Sequence, residues 1–89
     1  MGDYDENVYY GPHSNGGTVT GRRLAIHKGT PARWVELGDV NDNQHAALVS
    51  AARTSQAAFN TEAANAWGSA YTVLSLGDKA DARAAVAAY

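Results

Sequence analysis

The sequence predicts a small α+β domain, in which a β-hairpin or three-stranded meander is followed by alanine-rich helices. Two observations divide the chain in this way. Of the 18 alanines, 16 lie at or after Ala46, whereas 7 of the 9 glycines lie before it. Alanine is the strongest helix former, and turn glycines between β-branched and aromatic residues are typical of strands. The 89 residues suffice for one domain only, so 1–89 is treated as a single unit.

The first 21 residues form a glycine-rich acidic segment, which we call the arm (1–21). It contains three acidic side chains and no basic one. Two strand-like runs in the arm are separated by turn signals, one of which is an Asn-Gly pair of the kind that favours a type I′ hairpin turn. The runs are 7–10 and 18–20, and the turn signals are Gly11-Pro12 and Asn15-Gly16-Gly17. We expect no core position within 2–16, and the sequence leaves open whether the arm pairs within or between chains.

A basic β-hairpin is predicted over 22–37. Polar and apolar residues alternate on both sides of a Gly-Thr-Pro turn, which is the pattern of strands with one buried face. Leu24 and Ile26 fall on the predicted buried face, and Val35 and Leu37 are expected to join them. Arg23 and His27 fall on the opposite face.

The remainder, 42–89, is predicted to be helical. Asn41 is the expected N-cap, with Gln44 placed to complete a capping box. Apolar and small residues then recur every three or four positions over 42–76, which predicts one helix or two, broken near 60 or 68. The positions of this stripe are Leu48, Ala52, Ser55, Phe59, Ala63, Ala66, Ala70 and Val73.

A last helix is predicted over 79–88. Gly77 is read as the stop signal of the preceding helix, and Asp78 as the cap of the last one.

Composition excludes several classes of protein. The chain has no cysteine, so it holds no disulfide, thiolate zinc site or cysteine nucleophile. Its longest apolar runs are about four residues, such as 46–49, too short for a membrane span or the apolar part of a signal peptide. We therefore expect a protein of a virion or the cytoplasm, neither exported by a signal peptide nor in a membrane. The net charge of −2 gives no global attraction to nucleic acid or anionic lipid.

No motif in the sequence carries a known chemistry. Residues 16–23 have the glycine spacing of a phosphate-binding loop, but arginines stand where its lysine and hydroxyl belong. Residues 39–43 match the first ligands of an EF-hand loop, but the required glycine and closing glutamate are missing. The three histidines are 14 and 18 residues apart, which is not the spacing of a helical zinc pair. We expect no catalytic residue, cofactor or metal.

Large apolar side chains are scarce. Leu, Ile, Val and Phe together number 14, or 16% of the chain, which makes an isolated small domain marginal. We therefore expect burial against a protein partner or a second copy of the chain. The alternative is a monomer packed closely on alanine.

The expected contact residues are aromatic side chains in the arm and basic side chains in the hairpin. Residues 1–21 carry a local charge of −3, and 22–33 carry +4, so the two segments are complementary. Aromatic rings supply buried area at interfaces, and charges supply orientation. The expected contacts are Tyr4, Tyr9, Tyr10, Arg22, Arg23, Arg33 and Trp34.

These features favour a non-enzymatic structural or interaction subunit of a larger protein assembly. In size, lack of cysteine and arrangement, the chain resembles accessory subunits of virus particles, such as head-completion, decoration and tail-joining proteins of bacteriophages. One alternative is a small binding protein that modulates or inhibits a partner protein. Another is a weak nucleic-acid binder acting through the basic hairpin and Trp34, since a basic two-stranded ribbon fits a major groove.

Overall fold

In the described part of the chain, a three-stranded antiparallel sheet in the order β1-β2-β3 packs with four helices over one of its faces. The computed structural model describes residues 8–15 and 18–89, without the side chains of 13–15 and 18–20. The strands are β1 (Val8–Asn15), β2 (Thr18–Lys28) and β3 (Arg33–Val40), and the helices are α1 (Asp42–Ala52), α2 (Gln56–Trp67), α3 (Ser69–Thr72) and α4 (Leu76–Ala87). The predicted α+β class, with a three-stranded meander before the helices, is confirmed.

Residues 8–15 of the arm form a strand of the sheet, and residues 18–21 begin the next one. β1 pairs with β2 within the chain, with Val8 opposite Ile26 and Tyr10 opposite Leu24. Alternate residues of a strand share a face, so Val8 and Tyr10 both point at the helices, where they are 1% and 8% exposed. The expectation that 2–16 contains no core position is therefore wrong.

The predicted turn at Gly11 and Pro12 is also wrong, because both residues lie inside β1. Proline lacks the N–H that a central strand must donate, but among the described residues β1 is an edge strand, paired on one side only. Gly16 and Gly17 of the second turn signal lie outside the described residues. The pair that flanks them is Asn15 opposite Thr18.

The predicted hairpin forms, and Leu24 and Ile26 are buried in it as expected, at 0% and 1% exposure. Val35 lies opposite Ile26 on the same face, yet it is 41% exposed. The register shifts next to it: Leu24 is opposite Gly38 and Ala25 opposite Glu36, which leaves Leu37 as an extra residue in β3. Leu37 packs against the core, but Val35 is largely uncovered, so the prediction that both are buried is half wrong.

The long helical stripe is interrupted twice. One break, at Gly68, was predicted, and this residue has a φ of 61°, a left-handed conformation that glycine adopts without strain. The other break lies at 53–55 rather than near 60, which is inside α2. Ser55 accounts for it, because its hydroxyl accepts a hydrogen bond from the Ala58 N–H and caps α2.

The start of the last helix differs from the prediction. Ser75 is its N-cap and accepts from the Asp78 N–H, so Gly77 lies in the first turn of α4 and is not a stop. The Asn41–Gln44 capping box of α1 is present as predicted.

The break at Gly68 changes which side of the following segment is buried. Beyond it, Tyr71 and Leu74 are 1% and 7% exposed, whereas Val73, a predicted stripe position, is 77% exposed. The core lies between the inner face of the sheet and the helices. Its members are Val8, Tyr10, Leu24, Ile26, Val40, Leu48, Ala52, Phe59, Ala63, Trp67, Tyr71, Leu74, Ala82, Ala85 and Val86.

None of the helices in the described part of the chain is long and apolar enough to cross a bilayer.

Phe59 is fully buried and packs edge-on against Tyr71, with ring centroids 5.7 Å apart. Truncation in Phe59→Ala leaves a cavity among alanines that are too short to fill it. We expect a loss of about 3–5 kcal/mol in the free energy of unfolding, measured by urea denaturation. Phe59→Leu serves as the control and should cost clearly less, and equal stability of all three proteins would contradict this placement.

The two faces of β1 provide a second test. Val8→Asp buries a carboxylate in the core and should unfold the domain. Tyr9→Asp changes the neighbouring exposed position and should cost about 1 kcal/mol or less. Circular dichroism melting of both variants measures this, and similar melting temperatures would mean that β1 is not an intramolecular strand.

Candidate functional site

The outer face of the sheet, away from the helices, carries a shallow concavity of about 410 Å³. We call it the cup. Its walls are the rings of Tyr9 and Trp34, which are 43% and 48% exposed, and its floor is Ala25, which is 5% exposed. Arg23 and Glu36 complete the lining.

Strand pairing brings these residues together. Tyr9 lies opposite Ala25, and Ala25 lies opposite Glu36, so all three strands contribute to one row on the outer face. Arg23 is two residues before Ala25 and therefore shares its face. Trp34 in β3 is two residues before Glu36, so these two side chains also share the outer face.

The Tyr9 side chain is held by a hydrogen bond at its hydroxyl end. Its hydroxyl donates to the Pro12 carbonyl at 2.9 Å, which lays the ring along β1 over Gly11. A Cβ atom at Gly11 would lie 2.7 Å from the Tyr9 hydroxyl oxygen, so only glycine leaves room for this arrangement. The Tyr9 wall of the cup is thus preformed.

Trp34 is supported from its other side by His27. Their ring centroids are 5.0 Å apart with the planes tilted by 36°. His27 is opposite Trp34 in the β2–β3 register, so this is a direct cross-strand pair. The indole is therefore packed on one side and exposed on the side that faces the cup.

The charges at the cup compensate each other. The Arg23 guanidinium donates to Glu36 Oε2 at 2.7 Å, and the two side chains are 25% and 54% exposed. Exposed ion pairs contribute little to stability, commonly below about 1 kcal/mol. The pair's main effect is that it presents a polar but electrically neutral rim beside two aromatic walls.

The structure brings together three of the seven residues expected to make contacts, namely Tyr9, Arg23 and Trp34. Tyr10 and Arg22 lie on the helix side of the sheet, and Arg33 begins β3 on that same side. Tyr4 lies outside the described residues. Sequence reasoning missed Ala25 and Glu36, although strand alternation with Arg23 and Trp34 places both on this face.

The positive charge of the hairpin is divided between the two faces and largely paired. Arg22 binds Asp42 Oδ1 at 2.8 Å on the helix side, Arg23 binds Glu36 on the outer side, and Lys28 binds Asp78 Oδ2 at 2.9 Å. No single face of the described hairpin therefore carries all of the expected basic charge.

Tyr10 and Arg22 belong to a polar and aromatic cluster that joins the sheet to α1 and to the last residue of the chain. Tyr10 and His45 share a hydrogen bond of 2.8 Å between the phenol and Nδ1. Arg22 donates to Tyr89 through Nε at 3.1 Å, and the Tyr89 ring lies edge-on to His45 at 4.5 Å. Every member thus has a partner within the fold.

The cluster controls the protonation of its members. Burial and the nearby Arg22 guanidinium lower the pKa of His45, and Asp42 opposes this shift. Burial strongly raises the pKa of Tyr10, so its phenol keeps its proton. In the neutral tautomer that carries its proton on Nε2, the imidazole accepts from the Tyr10 phenol through Nδ1; in the other tautomer Nδ1–H donates to the phenol oxygen.

No group of three or more histidine, aspartate or glutamate side chains in the described residues is arranged to hold a metal ion.

The lowered pKa of His45 makes stability depend on pH. The folded state disfavours the charged imidazole. Neutral His45 therefore carries no free-energy penalty above the ordinary histidine pKa, and the folded state loses stability as the pH falls below that value. We expect the melting temperature to fall between about pH 7 and pH 5. His45→Asn should flatten this part of the profile, and an identical slope in both proteins would contradict it.

Comparison of the chain with protein-family models, with curated proteins and with solved structures gives no match in any of the three.

Proposed function

We propose that this chain is a non-enzymatic interaction subunit that joins a larger protein assembly through the outer face of its sheet. The observation that carries the proposal is the cup, where Tyr9 and Trp34 remain about half exposed on the outer face of the sheet. Exposed aromatic rings beside a small apolar floor are the composition of a protein interface centre. The kind of assembly that the sequence favours is a virus particle, with the chain as an accessory subunit.

Preorganisation supports this role. Association costs free energy for every side chain that must be ordered at the interface. Tyr9 is already fixed by Pro12 and Gly11, and Trp34 by His27. A partner that covers the cup therefore gains aromatic contact area with little further loss of side-chain freedom.

The charge distribution favours a protein over a nucleic acid. Aromatic rings on a sheet also stack on unpaired bases, but such sites need cations for the phosphates. Arg23, the basic residue lining the cup, is bound to Glu36, and Arg22 and Lys28 are engaged on the other face. A neutral rim suits a protein surface better than a polyanion.

A small protein that modulates a partner would use the same surface, and self-association separates the two roles. If the chain assembles with itself through the cup, sedimentation velocity over a concentration series should show oligomers at micromolar concentration. Trp34→Ser should weaken that association about tenfold or more, because central aromatic residues dominate interface energies.

Leu76→Ser is the matched control, because Leu76 is 83% exposed and does not line the cup. Its association should equal that of the unaltered chain. A monomer at all concentrations would favour the modulator, and a salt-sensitive complex with DNA would favour the nucleic-acid binder. Association that Trp34→Ser leaves unchanged would exclude the cup as the interface.

A further inference from the structure

A second unfilled surface lies on the helix side of β3. This groove has a volume of about 380 Å³, and apolar side chains form most of its wall. Val35 and Leu37 come from β3, whereas Ala70, Val73 and Leu74 come from α3 and the segment after it. It shares Glu36 with the cup, but its other lining residues are different and its apolar wall lies on the opposite face of the sheet.

The groove is open because the helices stop short of this edge. Gly68 ends α2, and α3 has only four residues before the chain turns towards α4. Val35 therefore stays 41% exposed on a face that is otherwise buried, and Val73 across from it is 77% exposed. Two branched apolar side chains line an unfilled channel.

The backbone beside the groove is an outer edge of the sheet in the part of the chain that the structure describes. β3 is the last strand in the order β1-β2-β3, so half of its N–H and C=O groups point away from β2. The stretch from Arg33 to Glu36 is regular, because the register shift comes after it. Further along, the Gly38 carbonyl already accepts from the Trp67 indole at 3.0 Å. The regular free edge is thus the part that borders the groove.

The start of this edge carries an available positive charge. Arg33 lines the groove, and the structure gives it no ion pair with any described acid. The neighbouring Lys28 is bound to Asp78 at 2.9 Å. Arg33 is therefore the cation that an incoming chain would meet.

We propose that the β3 edge binds an extended segment of a different protein as a fourth, antiparallel strand. Main-chain hydrogen bonds to the stretch from Arg33 to Glu36 provide the docking, as in other cases of strand addition. The segment carries an acidic residue opposite Arg33 and a branched aliphatic residue opposite Val35, whose side chain enters the groove. This interaction goes beyond the proposed function: an added strand would border the cup at Trp34 and Glu36 but would not cover Tyr9 or the Ala25 floor.

A second copy of β3 does not supply this chemistry. Two-fold antiparallel pairing centred on Val35 would set Arg33 opposite Leu37, and pairing centred on Trp34 would set Arg33 opposite Val35. Pairing centred on Glu36 would set it opposite Asp39, but the register shift turns Asp39 to the outer face, next to Arg23. The occupant is therefore a segment with its own acidic residue.

The test uses the full chain labelled with nitrogen-15 and a synthetic peptide, acetyl-Ser-Thr-Val-Thr-Glu-Thr-Ser-amide. In antiparallel alignment its Val lies opposite Val35 and its Glu opposite Arg33. We expect saturable shifts of the amide signals of β3 on titration. A peptide with Lys in place of Glu should bind about fivefold more weakly at low ionic strength, which corresponds to one exposed ion pair.

Charge reversal makes the assignment specific. Arg33→Glu should reverse the preference, so that the Lys peptide becomes the better ligand, whereas Arg53→Glu, with the same net charge, should leave the original preference. Val73→Ser should weaken binding of the Glu peptide about threefold, because apolar contact in the groove is lost. The absence of shifts in β3, or an unchanged preference in Arg33→Glu, would overturn the proposal. If the chain binds the Glu peptide but does not self-associate, the strand proposal stands and only the role of the cup is contradicted.

Discussion

The fold depends on the burial of aromatic side chains that each carry a polar group. Leucine, isoleucine, valine and phenylalanine are too few to fill the core, so two tyrosines and a tryptophan complete it. A buried phenol or indole must keep a hydrogen bond, and each of these bonds joins two elements.

Burial raises the pKa of Tyr71 to about 12, so its hydroxyl remains a donor at neutral pH. No buried side-chain nitrogen or oxygen in the described part of the chain lacks a partner. The three pairs are Tyr10 with His45, Trp67 with Gly38 and Tyr71 with Asn60.

These three bonds determine how the layers are arranged. Tyr10 attaches β1 to the first helix, and Trp67 attaches the end of α2 to β3. Tyr71 reaches back to α2 across the break at Gly68, so the short third helix stays against its neighbour. Directional bonds of this kind specify one arrangement of alanine-rich helices, whose small side chains alone fit many.

Local patterns predicted the parts of the fold that local chemistry decides. The alternation around Leu24 and Ile26, the Asn41 cap and the glycine break at Gly68 all follow from neighbouring residues.

The errors arise where distant contacts decide the outcome. Gly11 and Pro12 look like a turn, and only the position of β1 at the edge makes them acceptable in a strand. The shift at Leu37 depends on pairing with β2, and the exposure of Val35 depends on helices that stop short of this edge, so neither could be read from spacing. The division of the basic residues between two faces does follow from alternation, because Arg22 lies two residues from Leu24 and Arg33 two residues from Val35. The cup could be predicted in part, because alternation places Arg23 and Trp34 on its side, but the ring of Tyr9 is positioned by an in-chain pairing that the sequence left open.

The placement of Pro12 has a consequence for how copies of this sheet can grow. A sheet whose two edges both accept strands can extend without limit, as in fibrils. Here the outer edge of β1 is interrupted by a residue with no N–H, and the neighbouring carbonyl oxygen of Pro12 is occupied by the Tyr9 hydroxyl. The two edges are therefore unequal: one is terminated chemically, and the other is regular over a short stretch. Among the described strands, a sheet of this kind adds a strand more readily at β3 than at β1, which disfavours unlimited edge-to-edge growth of copies.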